Sequence, residues 1–86
     1  HMYVIRIPQP RDRDELAKHL QNKAISSRIH YPIANHQQPA ITKLSCDLPK
    51  LPRTEEIVNE ILSLPIHGEL AMEDVDYVCD AVLEFF

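Results

Sequence analysis

Residues 28–40, RIHYPIANHQQPA, gather His30, His36, Tyr31, Gln37 and Gln38 into thirteen positions of a chain with five histidines in all. Imidazole, phenol and carboxamide groups donate and accept hydrogen bonds without a fixed charge. Such a set suits recognition of hydroxyls or phosphate oxygens; the bland reading is a polar connection between two packed elements. Neutral imidazoles also suit a metal, with His30, His36, Cys46 and His67 as the conceivable ligands. No pair of them has the C-x2-C or H-x3-H spacing that preorganises zinc, so the expectation is that there is no metal site. His67 closes an apolar run and reads as structural.

Other chemistry is missing. A single glycine, Gly68, excludes both the P-loop and the G-x-G-x-x-G dinucleotide turn, each of which needs several positions without a Cβ. Ser26, Ser27, Ser45 and Ser63 lack the context that marks a nucleophile. The carboxylates cluster at helix starts and on polar flanks, where capping and solubility account for them. Cys46 and Cys79 stand too far apart to read as a disulfide framework; the first reads as a surface thiol, the second as a small buried hydrophobe on a helical stripe. By itself the chain offers no complete catalytic constellation.

The elements that must position the polar stretch follow from periodicity. MYVIRI alternates Tyr3, Ile5 and Ile7 against Val4 and Arg6 and reads as a strand closed by Pro8 and Pro10. RDRDELAKHLQNKA follows as a helix with Leu16, Leu20 and Ala24 along one face and Asp12 or Asp14 available to cap it. AISSRIH reads as a second strand. After it Pro32, Pro39 and Pro49 punctuate a long connection without sustained period, and long ordered loops are often functional. LPRTEEIVNEIL predicts a second helix that buries Ile57, Val58, Ile61 and Leu62. LSLPIH predicts a short third strand in which Pro65 forbids one ladder hydrogen bond. MEDVDYVCDAVLEFF closes the chain as a helix with Met72, Val75, Val78, Cys79, Val82 and Phe85 on its apolar side. The result is a two-layer sandwich, three strands covered by three helices, with a second sheet face left in need of a cover. That face carries either Val4, Arg6, Ser26, Arg28 and His30 or Tyr3, Ile5 and Ile7, depending on register.

Eighty-six residues, 44% hydrophobic and 26% charged, fit one small domain spanning residues 1–86. His1 reads as a residue left by cloning, and Met2 need not be native either. A net charge of −4 with scattered Lys and Arg argues against nucleic acid as a partner. No apolar run approaches the roughly 20 residues that cross a bilayer, so no membrane partner is expected and the chain is read as cytoplasmic.

The His30-Tyr31-Pro32 triplet, His36 five positions after Tyr31, the Gln38-Pro39 pair, and the Ser63-Leu64-Pro65-Ile66-His67 run entering a helix with Glu73-Asp74-Val75 are ordered and spaced specifically. In these motifs the sequence resembles the C-terminal small domain of the DegT/DnrJ/StrS family of nucleotide-sugar aminotransferases, over nearly all of its length. Ala34, Asn35 and Ile41 depart from the proline, apolar and aromatic residues usual in relatives, and TKLSCDLPK lacks their glycines. The resemblance implies an α+β domain with a small, largely antiparallel three-stranded sheet and three helices, belonging to a fold-type I enzyme that is usually a homodimer. It implies transfer of an amino group, typically from glutamate, to a nucleotide-linked keto sugar, for polysaccharide or amino-sugar biosynthesis. The cofactor of the full-length enzyme would be pyridoxal phosphate, held by a large N-terminal domain that is missing here. None of Lys18, Lys23, Lys43 and Lys50 sits in the family's catalytic-lysine motif. The chain alone is therefore expected to be inactive and to hold no cofactor. His30, Tyr31, His36 and Gln38 are the substrate-binding residues that the resemblance implies, facing the cleft between domains. The rival expectation is a free-standing or split-gene module that binds a ligand or a protein without catalysis.

Overall fold

Pairing of the first strand with the one before the last helix organises the chain. The computed structural model describes residues 2–44 and 50–86. In chain order the elements are β1 (Tyr3–Arg6), α1 (Pro10–Asn22), a 3-10 turn (Asn35–Gln37), α2 (Pro39–Thr42), α3 (Pro52–Ile57), β2 (Ile61–Leu64) and α4 (Met72–Phe85). β1 and β2 pair antiparallel, Tyr3 opposite Leu64 and Ile5 opposite Leu62. The Ile7 N–H donates to the Glu60 carbonyl at 2.8 Å and prolongs the ladder. Alternation then sends Ile5, Ile7, Leu62 and Leu64 toward α1 and α4, where they meet Leu16, Leu20, Ile25 and Ala81. The opposite face carries Val4, Arg6, Ile61 and Ser63, which settles the register left open by the sequence.

The fold is α+β, but among the described residues the sheet has two strands where three were expected. The expected second strand reduces to one rung, Arg28 with Ser63: the Ser63 N–H donates to the Arg28 carbonyl and the Arg28 N–H to the Ser63 carbonyl. The next hydrogen-bonded pair would set Ser26 against Pro65, which has no N–H to give. In the other direction the chain bends at His30.

The helices also differ from the three expected, since a short α2 lies within the long connection and α3 stops at Ile57. Ile61 and Leu62 belong to β2, not to a helix face. A longer α3 would offer the Val58 carbonyl to the Leu62 N–H. Instead, buried Arg13 donates from Nη1 to the carbonyls of Val58, at 3.3 Å, and Ile61, at 3.0 Å. The buried Glu60 carboxylate accepts from Arg6, whose guanidinium pKa this contact raises. Arg13 also pairs with Asp14, while α1 itself starts on Pro10 with no side-chain cap from Asp12 or Asp14.

α1 and α4 are tied at their C-terminal ends. Lys23 Nζ meets Glu84 at 2.8 Å, which raises the ammonium pKa and lowers that of the carboxylate. The Tyr77 hydroxyl donates to the Lys23 carbonyl at 2.9 Å. Cys79 is exposed, not buried as its place on the stripe implied; Ala81 takes the core position. The stripe of α4 is wider than the core that receives it, so Met72 is left 71% exposed.

Away from this core the chain is thinly packed. Between Tyr31 and Asn59 only Ala34 is buried among the described residues. The radius of gyration is 15.6 Å, against about 12 Å for a compact domain of this length.

α1 ends in a Schellman arrangement: the Ile25 N–H donates to the Leu20 carbonyl at 2.8 Å and the Ala24 N–H to the Gln21 carbonyl at 3.0 Å. Ala24 occupies the left-handed position at φ 60°, where an L side chain is disfavoured and glycine is usual. Ala24→Gly is expected to stabilise the chain by up to about 1 kcal/mol in chemical denaturation. A loss of stability would show that the helix ends differently.

Candidate functional site

On the face of β2 turned away from the core, the Ser63 side chain meets His30, with Oγ and Nδ1 2.8 Å apart. Ser63 is only 6% exposed, and its backbone groups are engaged with Arg28 on one side, opposite Val4 on the other. His30 is half-buried and stands between two hollows. One, of about 280 Å³, is bordered by Met2, Ser26, Arg28, His30, Ser63 and His67 among others. The other, of about 400 Å³, is bordered by His30, Tyr31, Ile33, His36, Thr54 and Ile61 among others. Tyr31 is 65% exposed and sets its ring edge-on to that of His30, with centroids 5.4 Å apart.

Three of the four residues singled out in the sequence thus border one hollow: His30, Tyr31 and His36. Gln38 does not join them. Its carboxamide donates to the Ile33 carbonyl at 3.3 Å, and its backbone opens α2, so it shapes the connection. His36 is largely covered, and its Nε2 lies 3.4 Å from Glu55 Oε1 without the alignment of a hydrogen bond. Glu55 accepts from Gln37 Nε2 at 2.9 Å, so a carboxylate of α3 fastens the 3-10 turn.

Sequence reasoning passed over Arg28, Ser63 and Glu55. Ser63 carried a usable signal, because a lone polar residue between Leu62 and Leu64 on a short strand faces opposite to them. His67 is exposed and borders the hollow with Arg28 and His30, a place its structural reading did not foresee. Among the described residues, no three His, Cys, Asp or Glu side chains converge to hold a metal ion. Cys46 lies outside the described residues.

A pyridoxal phosphate site needs a reactive lysine, an acid facing the pyridine nitrogen and a phosphate cradle. Among the described residues the side chains do not fit it. Lys23 is paired with Glu84, and Lys43 and Lys50 are exposed. Lys18 borders a hollow with Gln21, Ser26 and Ser27, in which no carboxylate faces a ring nitrogen.

A sequence profile of the DegT/DnrJ/EryC1/StrS aminotransferase family matches residues 1–83, and the chain belongs to that family. It is 37% identical over 86 residues to a protein named pleiotropic regulatory protein in Geobacillus stearothermophilus, covering 100% of this chain and 22% of that one. It is 35% identical over 85 residues to the dTDP-3-amino-3,4,6-trideoxy-alpha-D-glucose transaminase of Streptomyces venezuelae, covering 99% and 22% of the two chains. In three dimensions it superposes on DesV of S. venezuelae, crystallised in complex with a ketimine intermediate, with a TM-score of 0.85 and 35% identity, over 99% of this chain and 22% of that one. The chain therefore spans about a fifth of the length of these relatives.

The Glu55 attachment predicts a local effect. Glu55→Ala is expected to speed amide hydrogen exchange at Gln37 and Gln38, the donors of the 3-10 turn, by several-fold, while Leu16, Leu20 and Leu62 keep their protection. Unchanged exchange at 37 and 38 would mean that Glu55 does not hold the turn.

Proposed function

We propose that the chain is the C-terminal small domain of a pyridoxal-phosphate-dependent aminotransferase that moves an amino group, from glutamate, onto a nucleotide-linked keto sugar. The observation that carries this reading is the match of nearly the whole chain to about a fifth of sugar transaminases, together with the gathering of His30, Tyr31 and His36 at one open hollow. A large cofactor-binding domain, in the same polypeptide or a separate subunit, completes the enzyme, which works as a homodimer in the cytoplasm. Pyridoxal phosphate supplies the electron sink for amino-group transfer there. This chain contributes substrate recognition: His30 and Tyr31 hydrogen-bond to sugar hydroxyls or phosphate, with His36 behind them, while Gln38 holds the loop that carries them. The product feeds the making of cell-surface polysaccharide or other amino sugars.

Uncovered apolar surface supports the presence of a partner domain in the working enzyme. Tyr3, Ile66, Leu70 and Val75 line a hollow of about 290 Å³ beside exposed Cys79, and Leu44 and Leu51 are also exposed. Surfaces of this kind are ordinarily covered by protein. No helix among the described residues is long and apolar enough to cross a membrane.

Exchanging this chain for the matching segment of the S. venezuelae transaminase tests the reading. The chimera is expected to retain transamination of its dTDP-linked sugar. His30→Ala within it should raise KM about tenfold or more, the loss of one or two ligand hydrogen bonds. A soluble, cofactor-loaded chimera whose KM is indifferent to His30→Ala and Tyr31→Phe would refute the contacts. A free-standing binding module would instead give a chimera without turnover.

A further inference from the structure

We propose that Ser63 is a positioning residue for His30. Its hydroxyl donates to Nδ1 and holds the neutral imidazole with the proton on Nε2, so that His30 offers a ligand a donor rather than an acceptor.

Both backbone groups of Ser63 are used in the rung with Arg28, and among the described residues its Oγ has one partner, His30 Nδ1. Two arrangements are compatible with that contact. If Nδ1 carried the proton and donated to Oγ, the Ser63 O–H would have no protein acceptor in a residue only 6% exposed. An orphaned buried hydroxyl is disfavoured, so the arrangement that satisfies both groups is O–H donating to bare Nδ1. The tautomer of a histidine is set by the bond its other nitrogen makes. Nε2 then bears the hydrogen; among the described residues the hydrogen bond recorded for the His30 ring is the one at Nδ1. Exposed Arg28, which borders the hollow on the other side of His30 with Ser63 and His67, carries donors and no acceptor in its side chain. The atom that His30 meets is thus an acceptor oxygen, of a phosphate, hydroxyl or carbonyl.

That last step rests on the reading of His30 as a ligand contact; the role of Ser63 does not. Long-range 15N–1H spectra of the 15N-labelled 86-residue chain, recorded at mildly alkaline pH without ligand, separate the two. His30 is expected to show a protonated Nε2 and an unprotonated, hydrogen-bonded Nδ1. Ser63→Ala should move both nitrogens toward the average of the two tautomers, Ser63→Thr should restore them, and His19, His36 and His67 serve as internal controls. In the chimera, Ser63→Ala should raise KM for the nucleotide sugar several-fold while kcat is little changed, with Ser63→Thr again restoring it. A protonated Nδ1 in the unsubstituted chain overturns the proposal whether or not Ser63→Ala folds. So does a folded Ser63→Ala chain whose His30 signals stay in place. Should the spectra come out as expected while His30→Ala leaves KM untouched, the ligand reading fails and the tautomer assignment stands.

Discussion

Everything in this small structure hangs on the alternation of side chains along β2. Leu62 is 1% exposed and points into the core between α1 and α4; its neighbour Ser63 points the other way and meets His30. A strand cannot move one without the other, because a slip of one residue turns every side chain to the opposite face. The apolar core thereby sets where the polar site is built. Pairing with β1 on one edge and the single rung to Arg28 on the other hold that register.

Charged groups end the elements around β2 where periodicity alone would run on. Arg13 takes two carbonyls at the junction of α3 and β2, and Arg6 meets the Glu60 carboxylate next to them. Buried charges of this kind are tolerated when their hydrogen-bonding capacity is met. Here they turn the chain from helix to strand within three residues, Val58 to Glu60. The long connection is held more lightly, by Glu55 and by Gln38, and the apolar side chains of its described residues remain largely exposed.

Much of this was legible in the sequence, and the misses share a cause. β1, α1 and α4 follow from short-range periodicity, and so does the polar cluster at residues 30–36. The run of Ile57, Val58, Ile61 and Leu62 also fits a helical face, and contacts more than forty positions away in sequence divide it: Arg13 on the Val58 and Ile61 carbonyls, Arg6 on Glu60, and the pairing of Ile61 and Leu62 with β1. AISSRIH has the alternation of a strand, but a partner carrying Pro65 leaves it a single rung. Cys79 sits on the apolar stripe of α4, yet α1 and the sheet cover only part of that stripe. Among the candidate site residues, His30, Tyr31 and His36 come together and Gln38 turns to the backbone. The face of Ser63 was legible from its place between Leu62 and Leu64, but its partner His30 was not, because that contact crosses from another segment. The chain matches about a fifth of the length of its curated relatives.

One strand orients Leu62 into the core on one side and Ser63 toward His30, the ligand contact proposed above, on the other. A crystal structure of this chain completed by the catalytic portion of a relative, with a nucleotide-linked sugar bound, tests it most directly. The account predicts Leu62 still in the core, Ser63 still on Nδ1, and Nε2 of His30 within about 3.2 Å of a ligand oxygen. A sugar nucleotide bound elsewhere, with Ile29–Ala40 packed against protein and His30 turned from the cleft, would contradict it.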